Sequence, residues 1–170
     1  MLMSIAVYPG SFDPVTKGHI HIAERACRLF DEVVVGIAVP NYKKSLFTIA
    51  ERIAFMEDAL GHVPNLRVKT FDCLTVDFAK QEKAKAIIRG LRAISDYEYE
   101  MQVASINRYL DAGVETVFLM SNAAYSFLSS TIIKQVVSTG GRVEGLVTPL
   151  VEEALKKKLY EGKLSGGNTL

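Results

Sequence analysis

The sequence carries almost no excess charge and very little cysteine. Across 170 residues, twenty basic side chains face nineteen acidic ones, a formal net charge of +1. A general nucleic-acid binder usually shows a strong basic excess, so any site for a polyanion must be local. Cys27 and Cys73 lie far apart and in no metal-like spacing. They read as free or buried thiols in a reducing compartment rather than as a disulfide framework. No apolar run approaches the roughly 20 residues that a membrane helix needs. The opening MLMSIAVYPG has no basic segment followed by a long apolar one. These absences predict a soluble, cytoplasmic protein with no nucleic-acid or membrane partner. Repeats, linkers and low-complexity segments are missing too. What remains is 49% hydrophobic and 23% charged, ordinary for a globular chain. The length suits one domain, predicted over residues 1–160, with a frayed tail over 161–170.

Short apolar runs alternate with helical patterns. Ser4–Tyr8 reads as a buried strand bounded by a Pro9-Gly10 turn. From Gly18 the apolar positions Ile20, Ala23, Cys27 and Phe30 recur at helical steps. Val33–Val39 is a second buried strand, followed by the basic loop NYKKS. Thr48 and Glu51 form a capping box ahead of a helix with Ile49, Ile53, Met56 and Leu60 on one face. Leu66–Phe71 alternates apolar and polar, as a strand nearer an edge does. Thr75–Lys83 is a short helix, and Ala86–Ile88 a strand ending at Arg89-Gly90. Ser95 and Glu98 form a second capping box for a helix to about Leu110. Glu115–Met120 is a fifth strand. Ser129 or Ser130 caps the next helix, closed by Gly140-Gly141, and Pro149 opens the last, to about Tyr160. The alternation predicts an α/β fold: a Rossmann-like five-stranded parallel sheet with helices on both faces.

In such sheets ligands bind outside the carboxyl ends of the strands. The unusual residues gather there: Gly10, Ser11, Gly18 and His19 after the first strand, Lys43 and Lys44 after the second, Leu74 and Thr75 after the third. Arg89 and Arg92 follow the fourth, and Ser129, Ser130 and Thr131 the fifth. The stretch YPGSFDPVTKGHIHIAERA, Tyr8 to Ala26, ends in a helix start, where free N–H groups and the dipole favour anions. Gly10 permits close approach of backbone, Gly18 leaves room beside the helix, and His19 can donate to a phosphate oxygen. The stretch is neither a Walker A loop nor a G-x-G-x-x-G fingerprint. Each feature alone has a plainer reading as a turn, a cap or a solvated loop. Their convergence on one edge of the sheet carries the functional reading. His21 reads as structural or solvent-facing, and His62 as part of an exposed turn.

Tyr8 to His19 resembles the first signature of the nucleotidyltransferase superfamily, a GxFDPxxxGH loop. Ile88 to Gln102, IRGLRAISDYEYEMQ, closely resembles the bacterial phosphopantetheine adenylyltransferase family, as do Asn107-Arg108, Val117–Met120 and Phe127–Thr131. The resemblance runs from about residue 4 to about residue 159. It implies transfer of the adenylyl group of ATP to 4′-phosphopantetheine, giving dephospho-coenzyme A and pyrophosphate, with Mg2+ and a homo-hexameric assembly. Coenzyme A is implied as a feedback ligand.

Carried over by position, the resemblance gives His19 a contact to the ATP phosphates and Arg92 one to the β- and γ-phosphates. Gly10, Ser11, Phe12, Gly18, Gly90, Glu100, Ser129, Ser130 and Thr131 fall at further ATP positions. Lys43 and Arg89 match the cations for the acceptor phosphate. Ser11, Leu74, Thr75 and Asn107 complete the phosphopantetheine set. His19, Lys43 and Arg92 are the catalytic candidates, and no protein side chain is singled out as a metal ligand. Thr75 and Tyr125 depart from residues common in the family. Another adenylyl- or cytidylyltransferase of the superfamily, or a nucleotide-binding regulatory module without turnover, are the competing readings.

Overall fold

The computed structural model describes residues 3–39, 45–92 and 94–161; the side chains of residues 94–96, 160 and 161 lie outside that description. Lys43, Lys44 and the segment 162–170 lie outside the described residues. Element order is β1 (Ile5–Gly10), α1 (Lys17–Cys27), β2 (Glu32–Ala38), α2 (Ile49–Leu60), β3 (Leu66–Phe71), α3 (Thr75–Gln81), β4 (Ala86–Leu91), α4 (Ile94–Leu110), β5 (Glu115–Met120), α5 (Ser130–Ser138) and α6 (Pro149–Leu155). A 3₁₀ turn, Ala123–Tyr125, precedes α5, and a π-helical turn, Lys156–Glu161, follows α6. Among these residues the strands form one parallel sheet in the order β3-β2-β1-β4-β5. No described helix is long and apolar enough to cross a membrane.

Side chains alternate across each strand, so the sheet has two buried faces. Ala6, Tyr8, Val33, Val35 and Ile88 share one core with α1, α2, α5 and α6. Val7, Val34 and Ile87 share the other with Val76, Phe78 and Ala79 of α3. Gly36 of β2 faces this second core: a Cβ there would come within 2.4 Å of the Phe78 ring. The absent side chain makes space for Phe71 and Phe78 to stack, ring centroids 4.5 Å apart.

The order places a topological switch between β1 and β4. The chain runs β1, β2, β3 to one side and then crosses to β4 and β5. β1 pairs with β2 at six positions, from Ile5↔Glu32 to Gly10↔Ile37. With β4 it pairs only at Ala6↔Ala86 and Val7↔Ile87. Beyond Val7 the two central strands part, and a crevice opens at their carboxyl ends.

Three of the boundaries that differ from the expected ones bear on the site. Pro9-Gly10 does not turn; both belong to β1. Proline is excluded from a strand interior by its missing N–H, but Pro9 lies where the ladder to β4 has already ended. Arg89-Gly90 does not end β4, which continues to Leu91 against β5. α4 begins at Ile94 rather than behind a Ser95 cap. The α2 capping box stands as expected: Thr48 Oγ1 accepts from Glu51 N–H at 3.2 Å, and Glu51 Oε2 accepts from Thr48 N–H at 2.8 Å.

Candidate active site

A cleft of about 390 Å³ fills the crevice between β1 and β4. The opening loop builds one wall. Phe12 takes a positive φ of 46°, a conformation that costs an aromatic residue roughly 1–3 kcal/mol. Its buried ring is held edge-on between Tyr8, at 5.3 Å, and His19, at 5.1 Å. The ring also lies over Gly10, where a Cβ would meet it at 2.9 Å. Gly10 is therefore required by Phe12 packing, a reason internal to the protein. Gly18 differs. A Cβ there would meet Thr16 Oγ1 at 3.6 Å and Tyr125 Cβ at 3.7 Å, ordinary contacts. None of these contacts demands glycine at position 18, and Gly18 lines the cleft.

Thr16 is the N-cap of α1 and His19 stands at N3. The Thr16 backbone N–H donates to His19 Nδ1 at 3.1 Å, and Thr16 Oγ1 lies 3.2 Å from the same nitrogen. A backbone N–H can only donate, so Nδ1 must be the unprotonated nitrogen and Nε2 must carry the hydrogen. Burial of the ring, and then the Arg92 charge, lowers its pKa to about 4. His19 is thus a neutral imidazole with one donor. The α1 dipole adds a further positive potential at the same place.

The other wall comes from β4, α4 and α5. Arg89 holds Glu100 with two parallel bonds, Nε to Oε2 at 2.6 Å and Nη2 to Oε1 at 2.7 Å. Their side chains are only 24% and 12% exposed, so this pair is shielded from solvent, whereas the surface pair Arg108–Glu115, 70% and 68% exposed, contributes little. Burial opposes the Arg89 charge, but the bonds and charge of Glu100 outweigh it and raise its pKa. Arg92 Nη1 donates to the Leu128 carbonyl at 2.7 Å. Ser129 caps α5, its hydroxyl accepting from Ile132 N–H at 3.1 Å. Ser130 Oγ donates to the Pro14 carbonyl at 2.8 Å and ties α5 to the opening loop.

Of the residues expected at the site, Gly10, Ser11, Phe12, Gly18, His19, Arg89, Gly90, Arg92, Glu100, Ser129, Ser130 and Thr131 line this one cleft. Lys43 lies outside the described residues. Leu74, Thr75 and Asn107 do not line the cleft. Leu74 is the exposed N-cap of α3, Thr75 its first residue, and Asn107 is buried on α4, which packs on α3. Sequence reasoning passed over Tyr8 and Ser121, which also line the cleft. Tyr8 is buried, and burial pushes its hydroxyl pKa up against the opposing charges of Arg89 and Arg92. The Ser121 hydroxyl is buried with no hydrogen-bond partner among the described residues. Its position directly after β5 was the available signal. Thr16 was quoted in the motif, but its role in setting the His19 tautomer needs three-dimensional contact to be seen.

Among the described residues no group of three or more His, Cys, Asp or Glu converges as a metal cage. The cleft's donor set is one carboxylate, Glu100, beside hydroxyls. Mg2+ commonly keeps its waters and binds through one or two carboxylates and substrate phosphates. The donor set fits a magnesium ion held mainly by a nucleotide's phosphates.

The parallel α/β sheet and the cation- and hydroxyl-lined cleft at its switch point define a nucleotide-binding protein. Residues 7–136 match the cytidylyltransferase-like family. The chain is 53% identical to a phosphopantetheine adenylyltransferase of Moorella thermoacetica, over 92% of this chain and 98% of that protein. It is 50% identical to one of Thermodesulfovibrio yellowstonii, over 89% and 95%, and 49% identical to one of Clostridium novyi, over 91% and 97%. The chain belongs to the phosphopantetheine adenylyltransferase family.

Proposed function

We propose that the chain transfers the adenylyl group of ATP to 4′-phosphopantetheine, forming dephospho-coenzyme A and releasing pyrophosphate. The observation that carries this is identity of about half, over nearly the full length, to proteins of that name.

A phosphate oxygen of the acceptor is the nucleophile, and it is anionic at neutral pH. It needs no general base, which suits a cleft whose one histidine has its Nδ1 already occupied. The oxygen attacks the α-phosphorus in line, the bond to the bridging oxygen breaks, and pyrophosphate leaves with the electron pair. The barrier is repulsion between polyanions, so catalysis is positioning and charge stabilisation. The His19 Nε2–H donates to the α-phosphate as charge builds there. As a neutral donor it loses no proton to its partner. Arg92 and the start of α5 at Ser129 and Ser130 hold the leaving pyrophosphate, with Thr131, Gly90 and Glu100 lining the nucleotide's path. Arg89 and Lys43 hold the acceptor phosphate beside Ser11. Leu74, Thr75 and Asn107 take the pantetheine arm, which supports a site reaching beyond the cleft to the α3–α4 pair. Magnesium brought in on the nucleotide supplies charge neutralisation across the phosphates.

The domain works in the cytoplasm as a homo-hexamer. The exposed apolar side chains of α4, Tyr99, Ile106 and Tyr109 among them, support assembly. Coenzyme A, which carries both the arm and the nucleotide of the product, acts as a feedback ligand.

The test is pyrophosphate release from ATP and Mg2+ with 4′-phosphopantetheine, nicotinate mononucleotide or glycerol 3-phosphate. Release only with phosphopantetheine, with dephospho-coenzyme A identified by mass, is expected. Release with another acceptor alone would replace the substrate, and ATP binding without any release would indicate a regulatory module.

A further inference from the structure

β5 ends at Met120, and the chain leaves the sheet through Ser121. The peptide that joins the two is held on both sides. The Met120 carbonyl accepts from Arg25 Nη1, and the Ser121 N–H donates to the Leu91 carbonyl at 2.7 Å. Leu91 and Met120 are register partners on β4 and β5, so Ser121 follows at the level of Arg92. The next residue, Asn122, spends its side chain on a cap: Oδ1 accepts from Ala124 N–H at 3.0 Å. Serine is equally suited to such local bonds, but Ser121 makes none. Its backbone is fixed, it lines the cleft, and its hydroxyl is buried with no hydrogen-bond partner among the described residues.

The other serine and threonine hydroxyls of the cleft are accounted for. Thr16 Oγ1 meets His19 Nδ1 at 3.2 Å, Ser129 Oγ accepts from Ile132 N–H at 3.1 Å, and Ser130 Oγ donates to the Pro14 carbonyl at 2.8 Å. Ser11 and Thr131 are exposed, where water serves them. Among the described lining residues, Ser121 is the serine whose hydroxyl is both buried and unused. A buried hydroxyl without a partner is destabilising, and such groups are rare in folded proteins. Alanine at this position would avoid the cost. The serine side chain is short and turns about a single bond, so one change of rotamer brings Oγ to a group at the cleft wall without moving the backbone.

We infer that Ser121 is a further nucleotide-binding residue, whose hydroxyl forms a hydrogen bond with a nucleoside triphosphate in the cleft. This rests on the proposed function, in which Arg92 and the start of α5 serve ATP. Ser121 stands level with Arg92 at one edge of the sheet. Leu74 and Thr75, proposed for the pantetheine arm, follow β3 at the opposite edge. The hydroxyl is neutral and adds direction rather than charge. The charge of the triphosphate is met by Arg92 and the α5 helix start, and Ser121 supplies a partner of fixed position beside them.

The test is calorimetric titration of the full-length protein with ATP and Mg2+, with no acceptor present, and separately with 4′-phosphopantetheine. Ser121→Ala is expected to weaken ATP binding about three- to tenfold, the effect of one lost hydrogen bond. Phosphopantetheine binding should stay within about twofold. The melting temperature of the free variant should hold or rise, because the group removed has no partner. The further rise that ATP brings should be smaller than in the wild type. Unchanged ATP affinity, or an equal loss for both substrates, would overturn the inference. So would a lower melting temperature with ATP affinity intact, which would give the hydroxyl a purely structural role. Failure of the proposed function shows separately, as a wild type that binds ATP but releases no pyrophosphate with phosphopantetheine.

Discussion

At the scale of the residue, two positions separate chemistry from packing. His19 has its Nδ1 engaged by a backbone donor and its pKa lowered to about 4 from 6.5. Unfolded, it takes up a proton near 6.5; folded, only near 4. Between those values the unfolded state binds more protons, so this contribution to stability is full above about 6.5 and is lost as pH falls toward 4. Nitrogen NMR of the free protein at pH 7 should show the Nε2–H tautomer, with no His19 titration between pH 6 and 8. A midpoint in that range would remove the neutral-donor account. By analogy with a single preorganised oxyanion donor, His19→Ala should lower kcat about 100- to 1,000-fold, roughly 3–4 kcal/mol. A kcat within tenfold of wild type would deny His19 a central role. Gly18→Ala offers the opposite signature. Its methyl meets only ordinary contacts, and alanine favours a helix by about 0.5–1 kcal/mol over glycine. Thermal stability should hold or rise while KM for ATP increases. Falling stability with unchanged KM would show that the glycine serves the fold.

At the scale of the element, legibility followed how local the cause was. β3 and β5 matched their expected ranges, and the Thr48–Glu51 box announced α2, because alternation and capping act over a few residues. The ends of β1 and β4 were misplaced for one shared reason. Pro9-Gly10 and Arg89-Gly90 are turn-like by composition, but a strand ends where its neighbours stop pairing, and that depends on β2 and β5. The clustering of His19, Arg89, Arg92 and the α5 serines could be read from strand order and the family signatures. The ties that hold them could not, since Ser130 to Pro14 and Arg92 to Leu128 join residues remote in sequence. Gly36 belongs at this scale too. Glycine in a strand interior weakens it in general, yet here its bare face admits Phe78. Gly36→Ala should cost about 1–3 kcal/mol by overpacking, seen as a lower urea midpoint, with activity per folded molecule retained. An unchanged midpoint would mean that α3 yields freely.

At the scale of the whole molecule, α4 links the active site to the surface. Its inward side carries Glu100, paired with Arg89, and the buried Asn107. Its outward side exposes Tyr99 at 64%, Ile106 at 59% and Tyr109 at 88%. Large aromatic residues on an open face are the usual anchors of subunit contact. In the proposed hexamer this face is covered, and the covering steadies the helix that presents Glu100. Replacing both Ile106 and Tyr109 with Glu puts charge on that face without touching the cleft lining. The wild type should sediment as a hexamer, and the double variant as a smaller species with an unchanged circular dichroism spectrum. Because Glu100 sits on the same helix, the dissociated variant should also show a raised KM, with its residual turnover still dependent on phosphopantetheine. A wild type that sediments as a monomer would end the assembly proposal. A double variant that stays hexameric would keep the assembly and move its contact surface away from α4.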